Sequence, residues 1–301
     1  MKPWASIGGT SIGAISVILW GAALPLIRLA CEGSGVLSTL AVAQGLAGVL
    51  GTLFMIISGR FPCKRSVYLS RGFALRGMLF VSHILLLYAA VQLVDRSAMP
   101  GVIFCNYLWP TLVIVYAFAL KNISIARPDV FLVGLTTVLV ALFIELGSAT
   151  LNVSFLGPNG IAFGAAFLGA HAWGLYSAFT RQLGDSSGGS AVTPLFLLTC
   201  GSIGLILIPV SAFPSAHIIS SGTSGAAIAL GVCNFVAYIC WDLGMRKGNI
   251  ITLSLLADCI PWLSLGTMCF MLGVPIQNRT LFSAFLLVCG GVAVRLGAHG
   301  R

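Results

Sequence analysis

Asp258 is a carboxylate near the middle of a long apolar run, with no basic residue within a turn on the same helix. A charge at that depth is costly and faces a cavity or a partner. Three roles are open to it: contact with an ammonium group, proton carriage, or a structural hydrogen bond made by the neutral acid. The run Asn106-Tyr107-Leu108-Trp109-Pro110 offers further chemistry. Asn106 and Trp109 are three apart and share a helix face, so an amide stands beside a large amphipathic ring. Pro110 cannot donate its backbone hydrogen bond and crowds the carbonyl of Asn106, and Pro261 does the same to Ala257. Both prolines are expected to kink their helices and free carbonyls, which are useful where they line a polar cavity. His83 is central in its apolar run, as is His171 in another. His171 points nearly opposite to Trp173, two residues away, so both cannot face one pocket. Trp20 holds the place of Trp173 in the first half of the chain, which favours Trp173 as the pocket residue and leaves His171 a packing hydrogen bond. Tyr176 shares the Trp173 face. Tyr88 and Tyr238 fit a membrane interface as well as a pocket.

No enzymatic constellation joins these groups. His83, His171 and Asp258 stand on separate helices without the spacing of a metal site or of a nucleophile and its base. The nine Cys include no CxxC pair, and most, such as Cys105, Cys200, Cys233 and Cys259, read as small hydrophobes inside apolar runs. A GxxxxGK[ST] phosphate loop does not occur, so ATP is not the expected driving force. The expectation is a protein that is not an enzyme, with no metal and no cofactor, and with a lipid bilayer as its partner.

The elements that hold these residues are set by composition. Hydrophobic residues make up 58% of the 301-residue chain and charged ones 8%, too few to cover soluble domains. Spans need about 20 mainly apolar residues, and such runs occur at roughly 10–30, 36–58, 72–94, 97–120, 128–146, 158–182, 191–213, 222–246, 249–272 and 279–297. Ten crossings would put thirteen of the sixteen Lys and Arg on one side and Arg28, Arg96 and Arg279 on the other. Short cytoplasmic loops collect Lys and Arg, so both termini are expected inside. The net charge of +9 sits in short loops and forms no stripe or arm for nucleic acid. Arg28 and Glu145 lie near outer ends, within snorkelling reach of water. Asp242 lies near an inner end, four residues before Arg246, where an interfacial pair is expected. Basic residues are not expected at the midplane.

The chain also repeats. Trp20-Gly21 precedes Arg28 as Trp173-Gly174 precedes Arg181, each Trp eight residues before its Arg. A constant offset of 151 carries His83 to Asn234, Arg96 to Lys247, Tyr107 to Asp258 and Pro110 to Pro261. Five spans is an odd number, so the two halves, 1–147 and 148–301, would insert with opposite orientation. The expected fold is an all-α membrane protein of ten transmembrane helices in two inverted five-helix repeats, a plan of secondary transporters with the substrate site between the halves. Close helix packing is expected at Gly45, Gly48 and Gly51, at the Gly160-to-Gly164 step, and at Gly290 and Gly291.

These features resemble the drug/metabolite transporter superfamily, whose five-helix halves are EamA-like repeats. The run Asn106 to Pro110, with Phe80-Val81-Ser82, the Trp173 region and Gly248-Asn249, is similar to the YddG-type aromatic amino acid exporters. The resemblance implies a bacterial inner-membrane exporter of aromatic and other neutral amino acids. Its cavity would be lined by spans one, three, four, six, eight and nine, with His83, Tyr107, Trp109 and Trp173 as the best-matched contacts. The family pattern has tyrosine at the positions of both His83 and Asp258, which implies a more polar site here and a broader amino acid range.

Overall fold

A computed structural model describes residues 3–62, 64–150, 157–183, 188–210 and 223–300. Its helices in chain order are α1 (Pro3–Trp20), α2 (Ala23–Ser34), α3 (Val36–Ile57), the short α4 (Arg65–Tyr68), α5 (Arg71–Leu93), α6 (Met99–Asn106) and α7 (Trp109–Ala119). The series continues with α8 (Pro128–Thr150), α9 (Pro158–Leu183), α10 (Thr193–Leu207), α11 (Thr223–Lys247), α12 (Ile250–Ala257), α13 (Ile260–Leu272) and α14 (Asn278–Gly297). Among the described residues, eight helical stretches are long and apolar enough to cross a membrane. They coincide with the first five and last three expected spans. In the sixth place stands the 26-residue α9, diluted by small and polar residues such as His171, Trp173 and Tyr176. The seventh holds α10, an apolar helix of 15 residues whose expected span runs on past the described residues. Large apolar side chains face outward, among them Phe270, Ile57 and Phe143, as a lipid solvent allows. This is a multi-pass membrane protein built almost wholly of helices.

Two short strands depart from the all-α expectation. β1 (Ile123–Ile125) pairs antiparallel with β2 (Ala298–Gly300) and ties the chain after α7 to the C-terminal end. Both follow the end of a long helix, where backbone groups are released from the helical ladder and can pair in register.

The helices pack chiefly as α1 with α11, α5 with α9, α3 with α10 and α8 with α14. Small residues set some of these distances. A Cβ on Gly201 of α10 would lie 2.5 Å from the backbone nitrogen of Gly45 on α3, so only glycine permits that crossing. Gly48 and Gly51 of α3 are similarly crowded by Leu198 and Pro194. The expected Gly160-to-Gly164 step is different: a Cβ on Gly164 would meet nothing within 4 Å, so that glycine marks no close contact.

Three breaks interrupt the long helices, at Gly21–Ala22, Tyr107–Leu108 and Asp258–Cys259. Two of them stand 151 residues apart, each just before a proline at the second position of the next helix, Pro110 in α7 and Pro261 in α13. The carbonyls released at the first break find side-chain donors. Gly21 accepts from Ser264 and Thr267, both at 2.9 Å, and Trp20 accepts from the Tyr107 hydroxyl at 3.1 Å.

Several polar residues sit deeper than their place along the span suggests. Glu145 is buried and accepts from Thr280 at 3.1 Å, so it does not reach water. Arg28 turns inward onto backbone carbonyls and pairs with Glu32 at 2.7 Å. Asp242 is fully buried and pairs with Arg76 of α5 at 3.4 Å, with Tyr176 and Thr193 as further partners, so it is no interfacial residue. Arg76, near the start of α5, and Arg295, in the last turn of α14, are both buried among helices although they stand near helix ends. Sequence position gives depth along a span, whereas burial depends on which face meets a neighbour. Cys259 likewise is exposed rather than buried.

Candidate functional site

A cavity lies where α1, α2, α3, α5, α6, α7, α9 and α11 converge. Its walls include Trp20, Gln44, His83, Tyr88, Asn106, Tyr107, Trp109, Trp173, Asn234 and Tyr238. Seven of the residues expected to touch substrate are therefore brought together: Trp20, His83, Asn106, Tyr107, Trp109, Trp173 and Asn234. They come from distant parts of the sequence, and the breaks help to place them. Trp20 ends α1 beside Gly21, Asn106 ends α6, and Trp109 begins α7.

Rings, aliphatic side chains such as Leu24 and Ile84, and three amides share the wall. Trp20 meets Trp109 edge-on at 6.0 Å and Trp173 at 5.5 Å between ring centroids. Trp241, which the sequence does not single out, packs on Trp20 at 5.5 Å and Trp109 at 5.0 Å. Its indole donates to Ser177 at 3.0 Å. Edge-to-face rings are mutually attractive beyond the area they bury. His83 lies against Trp173 at 5.0 Å, and its Nδ1 meets the carbonyl of Gly169 at 3.0 Å. That carbonyl can only accept, so Nδ1 carries the proton and the neutral ring keeps Nε2 as an acceptor.

Polar atoms with unmet hydrogen bonds stand among these rings. The Trp20 indole N–H, the Gln44 Oε1 and the Asn106 Oδ1 are buried and have no hydrogen-bond partner among the described residues. Such groups are rare in folded interiors and each calls for an explanation. The set comprises one donor and two amide acceptors. Gln44 gives its Nε2 to the Tyr88 hydroxyl at 2.9 Å, and Oε1 is the atom left over. The space between the walls is small, about 30 Å³. That is enough for a water or two, whereas ligand pockets run to roughly 300–1,000 Å³. The cavity is too small to hold an amino acid.

Two expected site residues lie elsewhere. Tyr176 stacks on Trp173 at 5.0 Å but belongs to the layer beyond it, where its hydroxyl donates to Asp242 at 3.0 Å. Asp258 does not line the cavity. It forms an ion pair with Arg295 of α14 at 2.9 Å, with a second contact at 3.2 Å. Arg295 also donates to the carbonyls of Gly291 at 2.6 Å and Ser254 at 3.0 Å. Any side chain at Gly291 would run into the Asp258 carboxylate, so that glycine makes room for the pair. Pro110 and Pro261 stand at the helix breaks, near but outside the cavity wall. His171 bonds the Tyr116 hydroxyl at 2.6 Å away from the cavity, the packing role expected of it.

Gln44 is the functional candidate that sequence reasoning missed. A signal for it exists, since it is a lone amide in a 22-residue helix of apolar, small and hydroxyl residues. Tyr88 and Tyr238, for which an interface role is as plausible from sequence, are buried cavity residues.

No family model matches the sequence. Two curated relatives do. One is the aromatic amino acid exporter YddG of Escherichia coli (strain K12), 28% identical over 296 residues, covering 94% of each chain. The other is the exporter of the same name from Salmonella typhimurium (strain 14028s / SGSC 2262), 29% identical over 298 residues, again 94% of each chain. A solved crystal structure at 22% identity matches with a TM-score of 0.71 over 97% of this chain and 99% of its own, a likeness of fold. Over nearly its whole length, then, the chain is a relative of the YddG-type exporters, as the run Asn106 to Pro110 implies.

Proposed function

We propose that this chain is a secondary carrier that exports aromatic and other neutral amino acids across the bacterial inner membrane by alternating access. The observation that carries the reading is the aromatic cavity with its unmet polar atoms. A zwitterionic amino acid brings an ammonium group, which only donates, and a carboxylate, which only accepts. Gln44 Oε1, Asn106 Oδ1 and the acceptor face of His83 suit the first, and the Trp20 N–H suits the second. Trp109 and Trp173 suit a ring or other apolar side chain. The relatives are named as exporters of aromatic amino acids, which supports a carrier over an intramembrane enzyme. His83 and Asn234, repeat mates at the offset of 151, would both contact cargo.

The same reading takes the chain as ten spans in two inverted halves, 1–147 and 148–301, with both termini in the cytoplasm. Helix packing supports it. Exchanging the halves turns the α5–α9 pair into the α11–α1 pair and turns α3–α10 and α8–α14 into themselves. The breaks in spans four and nine support it as well. A cavity of about 30 Å³ suits a step of the cycle in which neither face is open to an amino acid.

Purified protein in proteoliposomes loaded with unlabelled phenylalanine is expected to take up labelled phenylalanine faster than empty liposomes. Competition by other neutral amino acids, but not by cationic drugs or sugars, is expected. Uptake of a drug or sugar in place of the amino acid would favour that cargo instead, and no exchange at all would remove the carrier reading.

A further inference from the structure

Two arginines make the same contact at two places. Arg28 of α2 sends Nη1 to the carbonyls of Val91 and Val94 at 2.9 and 2.7 Å, at the C-terminal end of α5. Arg181 of α9 sends Nη1 to the carbonyls of Met245 and Gly248 at 3.2 and 3.1 Å, at the C-terminal end of α11. The last carbonyls of a helix lack partners within it and carry partial negative charge, so a guanidinium is well matched to them. The two contacts are related by the internal repeat. An offset of 153 carries Arg28 to Arg181, as it carries Trp20 to Trp173, and the offset of 151 carries Val94 to Met245, as it carries His83 to Asn234.

Each contact also joins two helices that line the cavity. The stretch α1–α2 presents Trp20 and α5 presents His83, and Arg28 ties α2 to α5. Helix α9 presents Trp173 and α11 presents Asn234 and Tyr238, and Arg181 ties α9 to α11. Each arginine holds its two helices together at that end. Both contacts are made here, and the cavity is too small for an amino acid. Beside Arg28 a crevice of about 220 Å³ opens, lined by Cys31, Glu32 and Gln92. Glu32 holds Arg28 at 2.7 Å and also takes Arg96, which adds a second layer to that contact.

We propose that Arg28 and Arg181 are the two latches of the transport cycle, Arg28 closing the outer path to the cavity and Arg181 the inner one, released in alternation. The proposal rests on the alternating-access reading and names the positioning residues that would carry it. Binding of cargo between the walls would then be coupled to which latch is free, because a two-state equilibrium moves only by differential interaction with its two states.

Backbone hydrogen exchange of the full chain in lipid nanodiscs reads this without any substrate. Arg28→Gln is expected to speed exchange several-fold around residues 28–36 and 94–99 and to slow it around 181–183 and 245–250. Arg181→Gln is expected to give the mirror result. The slowing at the far end is the diagnostic, since freeing one latch populates the state in which the other is shut. A merely structural cap would loosen only its own end. Lys at either position keeps a donor for the carbonyls and is expected to fall between wild type and Gln, which also serves if a Gln variant does not fold. Local loosening without the reciprocal slowing, or loosening at both ends, would overturn the latches. Reciprocal exchange in a protein that carries no amino acid would leave the latches standing and remove the cargo reading. Amino acid transport with non-reciprocal exchange would do the opposite.

Discussion

Gln44 sits in the cavity wall with Oε1 unmet, whereas the carboxylate of Asp258 is held by Arg295, and substitutions at the two should act in different ways. Gln44→Leu removes an acceptor for the cargo ammonium as well as the bond to Tyr88. A hydrogen bond to a charged group contributes about 1.5–3 kcal/mol, so amino acid affinity is expected to fall about tenfold or more. Quenching of tryptophan fluorescence by phenylalanine measures it, and unchanged affinity would send the ammonium group elsewhere. Asp258→Asn leaves a buried guanidinium without its counter-ion, a loss of about 3–5 kcal/mol, so Tm in detergent should drop sharply. The pair Asp258→Leu with Arg295→Met should recover much of it, because a well-packed apolar replacement of a buried ion pair is close to neutral. An unchanged Tm with lost amino acid binding would return Asp258 to the role of ammonium contact.

At the scale of elements, the breaks and the glycine contacts decide where side chains arrive. Proline is readable in spans four and nine, and both helices are interrupted where its sterics require. The break at Gly21–Ala22 precedes Pro25, which cannot donate to the Gly21 carbonyl and crowds it, whereas its repeat mate Gly174 has no proline four residues on and lies inside the unbroken α9. Side chains from α13 and Tyr107 donate to the carbonyls at the first break, and these tertiary partners are what no local pattern announces. Close packing is similarly half legible. Glycine-rich faces are visible in the sequence, but nothing local separates Gly201, which meets Gly45, from Gly164, which meets nothing. Gly201→Val forces α10 away from α3, with a cost of about 1–3 kcal/mol or more from overpacking. Gly164→Ala is expected to leave Tm unchanged within error. Equal effects of the two substitutions would mean that α3 and α10 are not held at this distance.

For the whole molecule, charge along the chain predicts orientation. Reporter fusions after Arg301 and between α8 and α9 should report opposite compartments, and the same compartment for both would remove the ten-span arrangement. Arg76 and Arg295 belong to the cytoplasmic count by position yet are buried in ion pairs, so their share of that bias is structural. The small cavity adds that helices must separate before it can hold an amino acid.

The sequence by itself determined the consequences of solvent and period. An apolar composition requires lipid, lipid requires helices, and run lengths set where those helices begin and end to within a few residues. Motif identity and the spacing of Trp20, His83, Asn106, Tyr107, Trp109, Trp173 and Asn234 marked residues that do converge. Only the tertiary structure decided which polar groups are spent on each other and which are left over. Asp258 and Arg295 are 37 residues apart and Asp242 and Arg76 are 166 apart, so nothing local reveals that each pair neutralises itself. Gln44 is visible as the lone amide of α3, but its role is not: an unmet acceptor is defined by the hydrogen bonds its neighbours on other helices fail to donate, and those neighbours are chosen by packing.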